Sequence, residues 1–146
     1  MGDKNNQPRN LPAGFLLWQS ANSWQRQMKT ALTPVRLTHV QYLLLETLRN
    51  LSAGPEKATQ VNLAKSAGID AMMTSKVLRL LVRKKLVARK APRHDARAFI
   101  TVITPAGAAL LNKARPLVEK CETAFFEKLV AKRKKFMANL HALAGN

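Results

Sequence analysis

A single cysteine, Cys121, stands among 146 residues, so no internal disulfide can form, as suits a reducing cytoplasm. The thiol is expected to be a small buried apolar group. Acids are equally scarce: eight Asp and Glu stand against 25 Lys and Arg, for a net charge of +17. A field of that sign repels cationic substrates and attracts nucleic acid or an anionic membrane surface. Long apolar runs are missing too. The longest early one, residues 15–18, is far short of the ~18 residues of a membrane span, which leaves neither a signal peptide nor an anchor to expect. No Gly-rich phosphate loop occurs, and His39, His94, His141 and Cys121 lie in unrelated segments without metal-ligand spacing. Catalysis, a metal and a cofactor are therefore not expected, nor is a membrane partner.

What is present is enough apolar residue, 47%, for one domain's core. The positive charge is concentrated. Between residues 76 and 97 stand nine Lys or Arg (76, 79, 83, 84, 85, 89, 90, 93, 97) against one acid, Asp95, a bias suited to meeting phosphate.

Taken in order, residues 1–12 are rich in Asn, Gln and Pro and form an expected loose arm. A stripe at Leu17, Ala21, Trp24, Met28 and Leu32 predicts a first helix, with Trp24 in the core or a subunit interface. Thr38 caps a second and central helix carrying Val40, Leu43, Leu44, Thr47, Leu48 and Leu51. Residues 52–57, with Gly54 and Pro55, end it. A short helix capped near Thr59, a turn at Gly68 and a longer helix capped by Asp70 make the pattern of a helix-turn-helix.

The longer helix divides into two faces. Thr74, Val77, Leu78, Leu81 and Val82 should pack inward, while Met72, Ser75, Lys76, Arg79 and Arg83 form the opposite stripe. That stripe offers hydroxyl, cationic and apolar groups and no acid, which suits a major groove: Arg forks onto guanine, and Met72 can meet a thymine methyl. Residues 86–90 and 98–103 read as two strands of a hairpin. In its turn Arg93 and Arg97 can reach phosphates or the minor groove, with Asp95 aiming a guanidinium by charge-assisted hydrogen bonds. His94 reads as an ordinary polar loop residue.

Thr104-Pro105 opens a last helical region whose stripe runs through Leu111, Ala114, Val118, Cys121, Phe125 and Leu129. A break is expected near residues 130–135, followed by Phe136, Leu140 and Leu143, and a kink at Pro116 unless the chain turns there. So long a stripe after a complete small domain predicts contact with a second copy of the chain. The basic run at residues 132–135 is expected at a helix end where cations complement the dipole.

This order of elements resembles the MarR family of winged helix-turn-helix transcription regulators over about residues 14–143. Asp95-Ala96-Arg97 fits the family's Asp-x-Arg signature, and Ile103-Thr104-Pro105-Ala106-Gly107 looks like its Leu-Thr-x-x-Gly helix start. Residues 37–42 resemble its Thr-x-x-Gln segment, residues 60–64 the opening of its helix-turn-helix, and residues 86–89 its first wing strand. Val82 and Lys85 depart from the family, which usually has an acid and a glycine there, so the end of the recognition helix is expected to be extended or capped differently.

The expected fold is mainly α with a small β-hairpin wing, a winged helix-turn-helix at residues 37–103. Dimerisation helices at 13–36 and 104–146 flank it. The expected function is sequence-specific binding of double-stranded DNA. Ser75, Lys76 and Arg79 would read bases with Met72 at the entrance, and Thr59, Gln60, Arg83, Arg93 and Arg97 would hold phosphates or the minor groove. The resemblance implies a homodimeric repressor on a pseudo-palindromic operator, released by a small-molecule effector in a cleft near Trp18, Trp24, His39 and Tyr42. A non-specific architectural DNA-binding protein is the alternative, for which the charge alone would suffice.

Overall fold

A computed structural model of the chain describes residues 10–91 and 99–145, and within them it contains six α-helices and one two-stranded hairpin. Helix α1 is Ala13–Leu32, followed by a 3-10 turn at Thr33–Val35. Helices α2 (His39–Ala53), α3 (Gln60–Ala67) and α4 (Ala71–Arg83) follow. Strand β1 (Val87–Lys90) pairs antiparallel with β2 (Ile100–Ile103), Val87 opposite Ile103 and Lys90 opposite Ile100. Helix α5 (Pro105–Phe125), a 3-10 segment at Glu127–Lys132 and α6 (Arg133–Ala144) complete the chain. Among the described residues no helix is long and apolar enough to cross a membrane.

Helix α2 is central because its start is well capped and its apolar face is wide. The Thr38 hydroxyl accepts from the Gln41 amide at 3.2 Å, and the Gln41 side chain accepts from the Thr38 amide at 3.2 Å, a reciprocal capping box. Leu44, Leu45 and Leu48 are fully buried and pack with Leu63 of α3, Val77, Leu78 and Leu81 of α4, Val87 of β1 and Leu111 of α5. A second region of the same core joins Met28 and Leu32 of α1 to Ala114, Val118 and Cys121 of α5. Cys121 is therefore covered by its own chain, and burial, then the neighbouring Glu122 carboxylate, pushes its thiol pKa up. That environment disfavours the reactive thiolate.

The first-helix stripe divides in two. Met28 and Leu32 are buried, while Leu17 and Ala21 are exposed, as are Phe15, Leu16 and Trp18. Helix α5 runs without interruption through Pro116, whose ring removes one hydrogen bond from a helix otherwise anchored by its buried face. The break near the C-terminus comes earlier than expected, at Phe126, where that ring packs against Phe125 (5.0 Å between centroids) and Phe136 (6.0 Å). This corrects the basic run's position. Arg133, Lys134 and Lys135 occupy the first turn of α6, where the helix dipole opposes rather than complements cations. Their exposure limits the cost, and Arg133 lies 5.9 Å from the centre of the Phe126 ring.

Candidate nucleic-acid interface

The helix-turn-helix is built by three local devices. The Thr59 hydroxyl caps α3 by accepting from the Asn62 amide at 3.2 Å. Gly68 ends α3 at φ 63°, a left-handed position that glycine adopts without penalty, and the Ile69 amide returns to the Ala64 carbonyl at 3.0 Å. Asp70 then caps α4, its carboxylate accepting from the Met73 amide at 2.8 Å. One side of α4 is thereby fixed in the core: Thr74, Val77, Leu78 and Leu81 are buried. The other presents Met72 (83% exposed), Lys76, Arg79 and Arg83 to solvent, with Ser75 half-buried beside them.

The far end of α4 departs from a glycine stop. Lys85 takes φ 58°, so a residue with a Cβ occupies the left-handed position. The Leu86 amide reaches the Leu81 carbonyl at 3.0 Å and the Lys85 amide reaches Val82 at 2.9 Å, both bonds of a Schellman turn. The expected extension or different cap is thereby corrected: α4 ends in the usual turn, with lysine doing what glycine does more cheaply. Next to it, Lys84 turns back into the protein. Its ammonium donates to the Arg36 carbonyl at 3.2 Å and to Gln41 Oε1 at 3.4 Å, tying the end of α4 to the cap of α2. Lys84 is thus a structural cation, which a count of positive charges does not reveal.

The hairpin is fastened on two sides. The Thr101 amide donates to the Ala58 carbonyl at 2.9 Å, and Thr59 bridges Ile100, adding one residue of third strand that the sequence pattern does not announce. The Thr104 hydroxyl donates to the Lys85 carbonyl at 2.8 Å and accepts from the Gly107 amide at 3.0 Å. A Cβ on Gly107 would overlap the Leu86 backbone, so only glycine allows this approach of α5 to the end of α4. Thr59, a predicted phosphate contact, is in this way shared between a helix cap and the root of the wing, with Gln60 half-buried beside it.

Between α4 and the wing lies a groove of about 510 Å³, lined by Lys76, Arg79, Leu80, Val82, Arg83 and Arg89. Among the described residues, four cations and no carboxylate line it. It unites Lys76, Arg79 and Arg83, and adds Arg89, which site selection by helical periodicity missed. No strand period singles out Arg89: Val87, two residues earlier on the same face, is buried, while Arg89 and its neighbour Lys90 are both exposed. Arg93, His94, Asp95 and Arg97 lie outside the described residues.

A second polar cluster lies where α1, α2 and α5 meet. The Trp24 indole donates to Glu122 Oε1 at 2.6 Å and meets the His39 ring edge-on at 4.7 Å. Burial lowers the His39 pKa from its ordinary 6.5, against an opposing pull from Glu122. Burial and then Glu46 raise that of Tyr42, opposed by Arg115. Arg115 forks onto both Glu46 oxygens, one at 3.0 Å, while Arg49 lies 3.5 Å from Glu46. Three of the chain's eight acids, Glu46, Glu119 and Glu122, thus act on Tyr42 in an otherwise cationic molecule. Trp18 is elsewhere, 62% exposed and stacked on Phe15 at 6.0 Å, so His39 and Tyr42 are brought together with Trp24 and not with Trp18. Among the described residues no group of three or more His, Cys, Asp or Glu could hold a metal ion.

A family model described as MarR family matches residues 37–99. The uncharacterized HTH-type transcriptional regulator YdcH of Bacillus subtilis (strain 168) is 37% identical over 134 residues, covering 92% of this chain and 90% of that protein. Two solved structures share the fold. Bordetella bronchiseptica BpsR, studied for regulation of its DNA binding by 6-hydroxynicotinic acid, has a TM-score of 0.85 at 23% identity, over 96% of this chain and 98% of that one. A mutant MarR of E. coli complexed with operator DNA has a TM-score of 0.80 at 24% identity, over 92% and 94%.

Proposed function

The chain belongs to the MarR family of transcription regulators, and from that premise we propose that it is a homodimeric repressor binding a pseudo-palindromic operator in double-stranded DNA. The observation that carries this reading is the outward face of α4. Lys76, Arg79 and Arg83 stand in solvent with Arg89 of β1 across a shared groove, no carboxylate among the described residues lines that groove, and Asp70, Gly68 and the Schellman turn fix the helix at both ends. Ser75, Lys76 and Arg79 read base edges, with Met72 at the entrance. Thr59, Gln60, Arg83 and Arg89 hold phosphates, while Arg93 and Arg97 of the wing turn extend the contact under the guidance of Asp95. The E. coli MarR variant is in complex with operator DNA on the same fold, which supports this use of the helix.

Dimerisation uses the two terminal helical regions, 13–36 and 104–146. Phe15, Leu16, Leu17 and Trp18 of α1 and Val130, Met137 and Leu143 near the C-terminus are exposed in the single chain, and a second copy would cover them. Two copies present recognition helices to major grooves about 34 Å apart, one turn of DNA. A small-molecule effector that engages the Trp24, His39 and Tyr42 cluster would act where α1 and α5 meet α2, between the dimerisation helices and the DNA-binding core. The regulation of BpsR by 6-hydroxynicotinic acid supports an effector of that kind.

The test is selection of bound duplexes from a randomised pool, followed by competition between the selected duplex and a scrambled one at fixed salt. A repressor of this class prefers the selected duplex by at least about a thousandfold. A ratio near one would instead make the chain an architectural DNA-binding protein, which its +17 charge alone would support.

A further inference from the structure

We infer that the recognition helix reads its half-site through thymine methyl groups met by Met72, alongside guanines met by Lys76 and Arg79. This rests on α4 entering a major groove, as proposed above. The residues of α4 are Ala-Met-Met-Thr-Ser-Lys-Val-Leu-Arg-Leu-Leu-Val-Arg. None is Asn or Gln, the side chains that pair with the N6 and N7 of adenine, and none is Asp or Glu, which would accept from N4 of cytosine. Direct readout by this helix is therefore restricted to what a cation, a hydroxyl and an apolar group can distinguish. Cations select guanine, whose O6 and N7 both accept; an apolar group selects the one base carrying a methyl in the major groove.

The structure adds the placement. Met72 lies in the first turn of α4, the end from which a recognition helix contacts base edges, and it is 83% exposed. Met73 in the same turn is 42% exposed, so two apolar side chains crown the entry to a surface that is otherwise cationic. Thr74 is turned fully into the core and Ser75 is half-buried, which leaves Met72 as the most accessible non-cationic side chain on the reading face. A flexible, polarizable thioether adapts to a methyl without requiring a hydrogen-bond geometry. Covering one methyl group is worth about a fourfold change in affinity.

The experiment uses the full chain and duplexes selected from a randomised pool, with each thymine replaced singly by deoxyuridine, which removes only the methyl. At one or two thymines per half-site the wild type should lose about fourfold in affinity, and Met72→Ala should be indifferent to the same replacements. Met72 is too exposed for its truncation to threaten folding. The inference is overturned if every deoxyuridine duplex binds within about twofold of its parent, or if Met72→Ala loses as much as the wild type. Either of those results would leave operator recognition standing. A pool that yields no preferred duplex would instead overturn the proposed function and this inference together.

Discussion

Replacing Lys85 with Gly removes a Cβ from a residue held at φ 58°. For a residue with a side chain, the left-handed region costs ~1–2 kcal/mol, because the Cβ crowds the following carbonyl. Glycine escapes that cost but surrenders ~0.5–1 kcal/mol through the greater freedom of its unfolded chain. The difference predicts stabilisation by ~0.5–1 kcal/mol. For a chain near 150 residues, where each kcal/mol moves the midpoint by about 2–4 °C, the melting temperature should rise by about 1–4 °C. Thermal and urea unfolding of the wild type, Lys85→Gly and Lys85→Ala at equal protein concentration measure it, the concentration being matched because association would shift the midpoint. Lys85→Ala removes the same charge and keeps the Cβ, so it should stay within about 0.5 kcal/mol of the wild type. If alanine stabilises as much as glycine, the gain comes from relieving cationic repulsion and the backbone argument is refuted. A destabilised glycine variant would refute it as well.

Three further substitutions test other joints of the fold. Among the described residues the Thr74 hydroxyl is buried without a hydrogen-bond partner, so the isosteric Thr74→Val should stabilise by about 1 kcal/mol, read as a higher urea midpoint at unchanged slope. Gly107→Ala would drive its methyl into the Leu86 backbone and should destabilise by at least about 2 kcal/mol in the same assay; a neutral result would mean α5 does not approach the end of α4 so closely. Burial lowers the pKa of His39 in the folded chain, so as pH falls the unfolded chain takes up the proton first. The stability His39 contributes above its ordinary value of 6.5 should therefore be lost below it, and His39→Asn should show a shallower fall than the wild type between about pH 7.5 and 5.5. Parallel pH curves would remove His39 as the cause.

Much of this architecture was legible because local and global signals agree. Thr38, Thr59, Asp70 and Thr104 each sit one residue before an apolar period of 3.6 begins, and each caps the helix that follows. The two faces of α4 separate as cleanly in burial as in spacing, apart from Ser75 and Val82 at intermediate exposure. What could not be read depends on long-range contacts. Lys84 resembles its cationic neighbours in sequence, and only the folded chain brings it to Arg36 and Gln41, more than 40 residues away. Arg89 joins Arg79 and Arg83 because a strand packs beside a helix, a juxtaposition no single period encodes. The end of α5 was misplaced because apolar spacing continues through it, whereas the aromatic packing of Phe126 with Phe125 and Phe136 accompanies an earlier turn. At Lys85, the family resemblance marked a departure from glycine, and the backbone keeps glycine's conformation all the same.

DNA recognition is proposed for the exposed face of α4, and Arg79 lies in the middle of that face, lining the groove with Lys76, Arg83 and Arg89. Equilibrium binding of the wild type and Arg79→Ala to a selected duplex and to its scrambled counterpart, at several salt concentrations, tests it most directly. A bidentate contact to guanine is worth ~1–3 kcal/mol, so Arg79→Ala should bind the selected duplex roughly 5- to 150-fold more weakly. Its loss on the scrambled duplex should be much smaller. Equal binding by the two proteins on both duplexes, at every salt concentration, would contradict recognition of DNA by this face of α4.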